Sequence, residues 1–382
     1  MSGQTILILG GGVGGVVAAN RLRKRLDRRH RVVLVDREPS FTLAASYLWV
    51  MTGDRRPEQI SRPLARLERK GIEVVRGEVE RVDPERREAV VDGRLLSGDP
   101  LIVALGAEFA PDAVPGLAAA GLTFCTLAGA ARLREALEAT RGGRILVLTA
   151  APAYKCPAAP YEAAMLIDDL LRRRGVRPRV EIALHTAEAG PMGVAGPEVS
   201  AAVRAMVEGK RITYYPEHQI ARVEERGAHF ADGASVDFDL LVYVPPIRPP
   251  KALTGSGLVD DTGWVRVNRS TLETRFPRVY ALGDVTLIPL AMGKPLPRAG
   301  VFAHAQAEVV ARNIARVVRG RAPSERFDGH GACFVETGAG QAGFGSGDFY
   351  AEPHPVVRLR RPSWLWHASK VLLERQVLWQ WL

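Results

Sequence analysis

Apolar residues run along this chain in short unbroken blocks that end in turns and give way to helical patterns. TILIL at 5–9, RVVLVD at 31–36, LIVAL at 101–105, RILVLTA at 144–150, VEIALHT at 180–186 and RVYAL at 278–282 are such blocks. Runs of this kind, bounded by turn residues, mark strands buried on both faces, as in a parallel sheet covered by helices. The order strand, turn, helix, strand occurs at 5–36 and again at 144–187. An α/β fold with two Rossmann-like dinucleotide-binding domains is predicted. The Pro-rich stretch YVPPIRPPKAL at 243–253 reads as the connection from the second unit back to the first.

The two turns differ in chemistry. The first places Gly10, Gly12 and Gly15 in the spacing G-x-G-x-x-G, and Asp36 closes the next strand. Glycine permits a tight turn, close approach to a pyrophosphate and close packing of helix on strand. The helix N-terminus favours phosphate charge, and the acid can accept hydrogen bonds from a ribose. A glycine turn serving packing alone is the competing reading; strand, helix and acid together favour a nucleotide. The second turn, Ala150-Ala151-Pro152-Ala153-Tyr154-Lys155-Cys156-Pro157, has no glycine. Its side chains obstruct a phosphate, and Pro152 lacks an N–H, which argues against an ordinary NAD site. Cys156 stands instead at the start of a helix, beside Lys155, with Pro157 and Pro160 suited to a first turn. Both the helix end and the cation favour thiolate, so Cys156 reads as reactive rather than merely buried.

Composition narrows the partners. The 382 residues suffice for two or three domains, and 47% hydrophobic content for ordinary cores. A net charge of +10 points to nucleic acid, an anionic membrane surface or an anionic substrate. No zinc-finger spacing and no aromatic-plus-basic motif occurs, so nucleic acid is set aside and no metal is expected. Cys125, Cys156 and Cys333 are too few for a disulfide scaffold and form no C-x-x-C pair. The opening MSGQTILILGGG has no positive n-region and no long apolar h-region, so no secretory signal is expected. No apolar run of about 18 residues is present to span a membrane.

Three further segments resemble those of the glutathione-reductase-like flavoproteins with two dinucleotide domains. ALGD at 281–284 resembles the second FAD fingerprint, whose acid binds the ribityl chain. VALGAE at 103–108 resembles the strand-end ATG motif, with Leu105 where Thr is usual. The pattern at 297–318 resembles the helix whose positive end faces the flavin pyrimidine. The resemblance implies FAD, held by Gly10, Gly12, Gly15, Asp36, Val79, Gly106, Gly283, Asp284, Gly300 and Val301. It also implies a discontinuous FAD domain, 1–105 plus 266–318, around a second Rossmann-like domain at 106–265.

All three cysteines lie in segments that resemble the sulfide:quinone oxidoreductases and the related flavocytochrome c sulfide dehydrogenase flavoproteins. These are KCPAAPYE at 155–162, GHGACFVETGAGQAGF at 329–344 and GLTFCTL at 121–127. The resemblance implies that Cys156 and Cys333 form a disulfide or a sulfur-bridged pair beside the flavin. Sulfide would attack one sulfur to give a persulfide by thiol–disulfide exchange. The freed thiolate, assigned to Cys156, would pass its electrons to FAD, leaving zero-valent sulfur or polysulfide. Cys125 would carry or release sulfur, or stand as a buried spectator. Histidines of some members have no match at Gly129 and Pro191, which leaves Glu162 as the candidate base. Its competing reading is a solvated first-turn carboxylate. His185 closes a strand and reads as structural.

The C-terminal segment, 319–382, ends in RLRRPSWLWHASKVLLERQVLWQWL, which holds Trp364, Trp366, Trp379 and Trp381. Read as a helix, Trp364, Ala368, Val371, Leu372, Leu378 and Leu382 share a broad face. Tryptophan with arginine suits a membrane interface. The tail is expected to rest peripherally on a membrane and, with Phe334 beside Cys333, to line a quinone pocket. The competing reading packs it on the protein's own core or on a second copy in a homo-oligomer. Quinone is the expected acceptor. The alternatives are cytochrome c, a type II NADH:quinone dehydrogenase and a flavin redox sensor without turnover; the missing glycine turn argues against the NADH enzyme.

Overall fold

The structure, a computed structural model, describes residues 3–382. The first apolar blocks form a five-stranded parallel sheet. Its order is Val279–Ala281, Leu101–Val103, Thr5–Leu9, Arg31–Asp36, Glu73–Arg76. Ile6, Ile8, Leu34 and Ile102 face one core, and Leu7, Leu9, Val33 and Val103 face the other. Burial on both faces is why these strands read as continuous rather than alternating runs. The glycine turn feeds helix α1 (Val13–Arg25).

The second sheet repeats the plan. Its parallel order is Gly121–Leu122, Leu240–Val244, Gly143–Thr149, Val180–Thr186, Thr213–Tyr215. The glycine-free turn leads to helix α2 (Ala159–Arg173). With two open parallel sheets of this kind, the α/β fold with two Rossmann-like units is as expected. The chain then returns to the first sheet, and helix α3 (Gly300–Val318) packs against α1.

The C-terminal part is a three-stranded antiparallel meander, His330–Gly338, Gln341–Asp348 and Val356–Ser363, followed by helix α4 (Trp364–Gln380). Its first hairpin turns on Ala339 and Gly340, both left-handed, as the strand twist requires of a two-residue turn. Strand His330–Gly338 lies on α2, which leaves α2 buried along most of its length.

Helix α4 departs from the expected face. Lys370, Glu374, Val377 and Leu378 point inward, while Trp364, Leu365, Leu372, Leu373 and Trp379 are exposed. Leu378 and Leu382, expected beside Trp364, instead join the core under the first sheet. Polar anchors fix this rotation. Arg55 pairs with Glu374 at 2.9 Å, Lys70 Nζ donates to the Gln380 carbonyl at 2.9 Å, and Asn20 Nδ2 donates to the Trp381 carbonyl at 2.9 Å. Among the described residues, no helix is long and apolar enough to cross a membrane.

Candidate active site

The glycines of the first turn have separate roles. A Cβ on Gly15 would lie 1.8 Å from the Gly10 carbonyl oxygen, and one on Gly10 2.3 Å from that of Ala104. Both positions are closed by packing. At Gly12 a Cβ would meet nothing within 4 Å. That open space lies at the N-terminus of α1, which has no side-chain cap and no acid in its first turn. The N-terminus of α3 is equally uncapped and stands beside it, since a Cβ on Gly300 would meet Val13 Cγ2 at 3.6 Å. Two positive helix ends over an open cradle fit an anionic dinucleotide.

The other expected cofactor residues fall at strand ends or in the core. Asp36 closes its strand and accepts from the Gly11 N–H and, at 2.7 Å, from the Glu38 N–H. Gly106 and Gly283 turn the chain with φ of +70° and +75° after their strands. Asp284 follows, 3.9 Å from Lys155 Nζ. Val301 lines the cavity described next. Val79 sits in the core between the first sheet and its antiparallel meander, paired with Val91.

The glycine-free turn holds Cys156 in a left-handed backbone, φ +57°, a conformation that costs a non-glycine residue about 1–2 kcal/mol. Its N–H donates to the Arg298 carbonyl at 2.8 Å, and its own carbonyl accepts from the Ala159 N–H at 2.9 Å. The first bond ties the turn to the segment that enters α3. Cys333 comes from the C-terminal meander, where Gly331, Cys333 and Val335 face one cavity of about 430 Å3 that Cys156 also lines. The walls include Val301, Phe302 and Phe349. A polar side carries Lys294, Arg298 and Glu188. The Tyr154 and Tyr161 hydroxyls donate to Glu188, and Arg298 Nη2 is buried with no hydrogen-bond partner among the described residues.

Both sulfurs are unlinked thiols here, and neither is a ready thiolate. Burial pushes the Cys156 thiol well above its ordinary pKa, and Cys333 and Glu162 push it further; Lys370 opposes them. Cys333 is pushed up to about 11 by burial and Glu162, again against Lys370. The expected activation of Cys156 by a helix end and Lys155 is therefore corrected. Helix α2 begins only at Ala159, and the turn directs Lys155 to Asp284 and over the Phe109 ring at 4.5 Å. The cation that acts on both sulfurs is Lys370, on the far C-terminal helix.

Lys370 belongs to a buried cluster that sequence reading did not assemble. Glu162 is 3% exposed, not a solvated carboxylate, and its Oε1 accepts from Lys370 Nζ at 3.1 Å and from the Glu336 N–H at 2.9 Å. Lys370 Nζ also lies 3.6 Å from Glu336 Oε1, and His367 Nδ1 lies 3.0 Å from Glu336 Oε2. Burial pulls the Lys370 ammonium down, but Glu162 and Glu336 outweigh it and its pKa stands above the ordinary value. Burial pushes Glu336 up, with Lys370 opposing. Of this cluster the sequence offers Glu162 as a candidate base, and Glu336 only as a glutamate three positions after Cys333, on the opposite strand face.

The remaining candidates lie apart from the two sulfurs. Cys125 is outside the cavity; burial pushes its thiol to about 11, with Thr123 and Lys155 opposing. His185 is buried, its Nδ1 3.0 Å from that of His218, and burial together with His218 lowers its pKa to about 3. Phe334, on the strand face away from Cys333, packs at a tilt against Phe344 at 5.1 Å, and Phe344 stacks on Trp366 at 4.6 Å. Trp364 and Trp379 face outward. Trp381, expected with them, turns inward against Phe41 and His304 because Asn20 holds its carbonyl.

Residues 4–308 match the family model of pyridine nucleotide-disulphide oxidoreductases. The chain is 24% identical to the mitochondrial sulfide:quinone oxidoreductase of Mus musculus, over 91% of this chain and 79% of that protein. It is 25% identical to the sulfide-quinone reductase of Aquifex aeolicus (strain VF5), over 98% and 90%. The X-ray structure of the sulfide:quinone oxidoreductase from Aquifex aeolicus superposes with a TM-score of 0.89 at 23% identity, covering 99% of this chain and 91% of that one.

Proposed function

The chain belongs to the pyridine nucleotide-disulphide oxidoreductase family, and on that premise we propose that it oxidises sulfide at Cys156 and Cys333 and passes the electrons through FAD to quinone. One observation carries the reading: a cysteine held in strained backbone where a nucleotide turn needs glycine, facing a second cysteine across one apolar cavity.

Bound flavin supplies a two-electron acceptor. Lys294 and Arg298 give hydrosulfide a cationic approach along the cavity wall. The two thiols, unlinked here, would first join in a disulfide, giving two electrons to that acceptor and two protons to solvent; hydrosulfide attack on this bond then forms a bond to the Cys333 sulfur and breaks the bond to Cys156. The products are a Cys333 persulfide and a Cys156 thiolate. Lys370 stabilises the thiolate, and Glu162, the carboxylate that acts on both sulfurs, takes the persulfide proton. Thiolate and persulfide then join as a sulfur-bridged pair, and the two electrons released go to the acceptor.

The outward apolar face of α4 suits peripheral contact with a membrane, where quinone resides, better than docking of a soluble cytochrome. Anaerobic mixing of the purified yellow protein with sulfide is expected to bleach the flavin rapidly, whereas NADH leaves it oxidised. Bleaching by NADH and not by sulfide would replace this reading with an NADH dehydrogenase.

The cradle makes its own prediction. Gly12→Ala, with open space around its Cβ, is expected to fold with the melting temperature of the flavin-stripped parent and to purify with little flavin. Gly15→Ala, with a Cβ on the Gly10 carbonyl, is expected to be unstable whatever it binds. Absorbance per protein and thermal unfolding measure both. Normal flavin content in Gly12→Ala would move the cofactor away from this turn.

A further inference from the structure

A second cavity, of about 570 Å3, lies between α4 and residues 55–66 and shares no residue with the cysteine cavity. Arg55, Arg62, Arg66, Arg375, Glu374 and Trp379 line it. Four arginines against one glutamate leave it strongly positive. The glutamate pairs through one oxygen with Arg55 at 2.9 Å, which leaves Arg62, Arg66 and Arg375 in excess. Arg62 is steadied by the backbone carbonyls of Glu58, Gln59 and Ser61. Arg66 and Arg375 form no salt bridge among the described residues. Concentrated like charge of this kind is stabilised by an anion lying between the guanidinium groups.

The setting says which anion. Trp379, 78% exposed, stands at the rim, and Trp364, Leu365, Leu372 and Leu373 continue the apolar surface along the same helix. Among the described residues, five of the eight exposed large apolar side chains are on α4. Apolar surface, an indole and then a guanidinium cluster follow the order of a lipid leaflet from acyl chain through interface to headgroup. A zwitterionic headgroup brings its own cation, so a positive pocket selects a net anionic one.

We infer that this arginine cavity is a binding site for the phosphate of an anionic phospholipid in the membrane on which α4 rests. The inference depends on the peripheral-membrane reading above and adds the headgroup selectivity.

Flotation of the purified holoprotein with vesicles tests it. Vesicles of phosphatidylcholine mixed with phosphatidylglycerol are expected to bind about thirty-fold more tightly than phosphatidylcholine alone. The double variant Arg66→Gln/Arg375→Gln is expected to lose that gain while keeping its flavin and its weaker binding to neutral vesicles. Arg222→Gln/Arg226→Gln removes the same charge outside the pocket and is expected to keep the gain. Equal binding of the wild type to both vesicles overturns the headgroup site and leaves the membrane reading standing. Binding to neither overturns both. Equal loss in the two double variants shows diffuse surface charge and overturns the site, as does displacement from mixed vesicles by millimolar glycerol phosphate, which would make the pocket a site for a free anion.

Discussion

Alanine at Cys156 or at Cys333 is expected to abolish bleaching of the bound flavin by sulfide, lowering its rate by more than about a thousand-fold. Transfer of an electron pair out of sulfide needs a sulfur to attack and a second sulfur to leave. With one thiol removed there is no bond between the two to break, so either substitution stops the reaction at the same point. Both thiols line an existing cavity, so truncation removes a single atom facing open volume. The expected stability loss is below about 1 kcal/mol, and flavin content stays normal. Anaerobic stopped-flow absorbance with sulfide measures the first effect, and thermal unfolding the second. A variant that bleaches at the parental rate takes its cysteine out of the reaction.

Lys370→Met is expected to be the most destabilising single change near the site, by about 3–5 kcal/mol at neutral pH. It leaves Glu162 and Glu336 in a dry interior without their shared cation. The loss has a defined pH dependence. Burial already raises Glu336, and removing the ammonium raises it further. A carboxyl with a raised folded pKa favours the fold while protonated, and that advantage disappears as pH climbs through the folded value. The deficit of the variant is therefore expected to be smaller at pH 5 than at pH 8. Lys370, also raised, contributes fully in the parent below its unfolded pKa of about 10.4 and loses its contribution as pH rises through its folded value. Urea unfolding of parent and variant at the two pH values gives the comparison, and Lys370→Arg restores much of the stability. An equal deficit at both would mean the carboxylates do not depend on this lysine. The thiols rise as well, since Lys370 is the cation that opposes burial at both.

What the sequence revealed was what neighbouring residues decide. Gly10, Gly12 and Gly15, the strand-ending Gly283 and Asp284, and the substitution of Cys156 into a glycine turn are all local patterns, and the fold class follows from apolar runs that two-sided burial demands. The cluster around Lys370 could not be read this way. Glu162 meets its partners from 174 and 208 positions further along the chain, and no periodicity joins them. The tail misled for a related reason. Its apolar residues suggest one face, but α4 must serve two neighbours. Lys370 and Glu374 satisfy buried charges, Leu378 and Leu382 fill the first core, and only part of the apolar set remains outside. At Cys156 a local argument from Lys155 failed because the turn directs that ammonium to Asp284.

The left-handed backbone at Cys156 bears on how this protein responds to selection for robustness. Glycine adopts that conformation without cost, so Cys156→Gly relieves strain in the folded state, offset in part by the greater freedom of its unfolded chain. A stability screen blind to turnover is therefore drawn toward glycine at this position. That is the residue a phosphate-binding turn would hold, so thermal hardening and loss of the proposed sulfur chemistry lie along one mutational path.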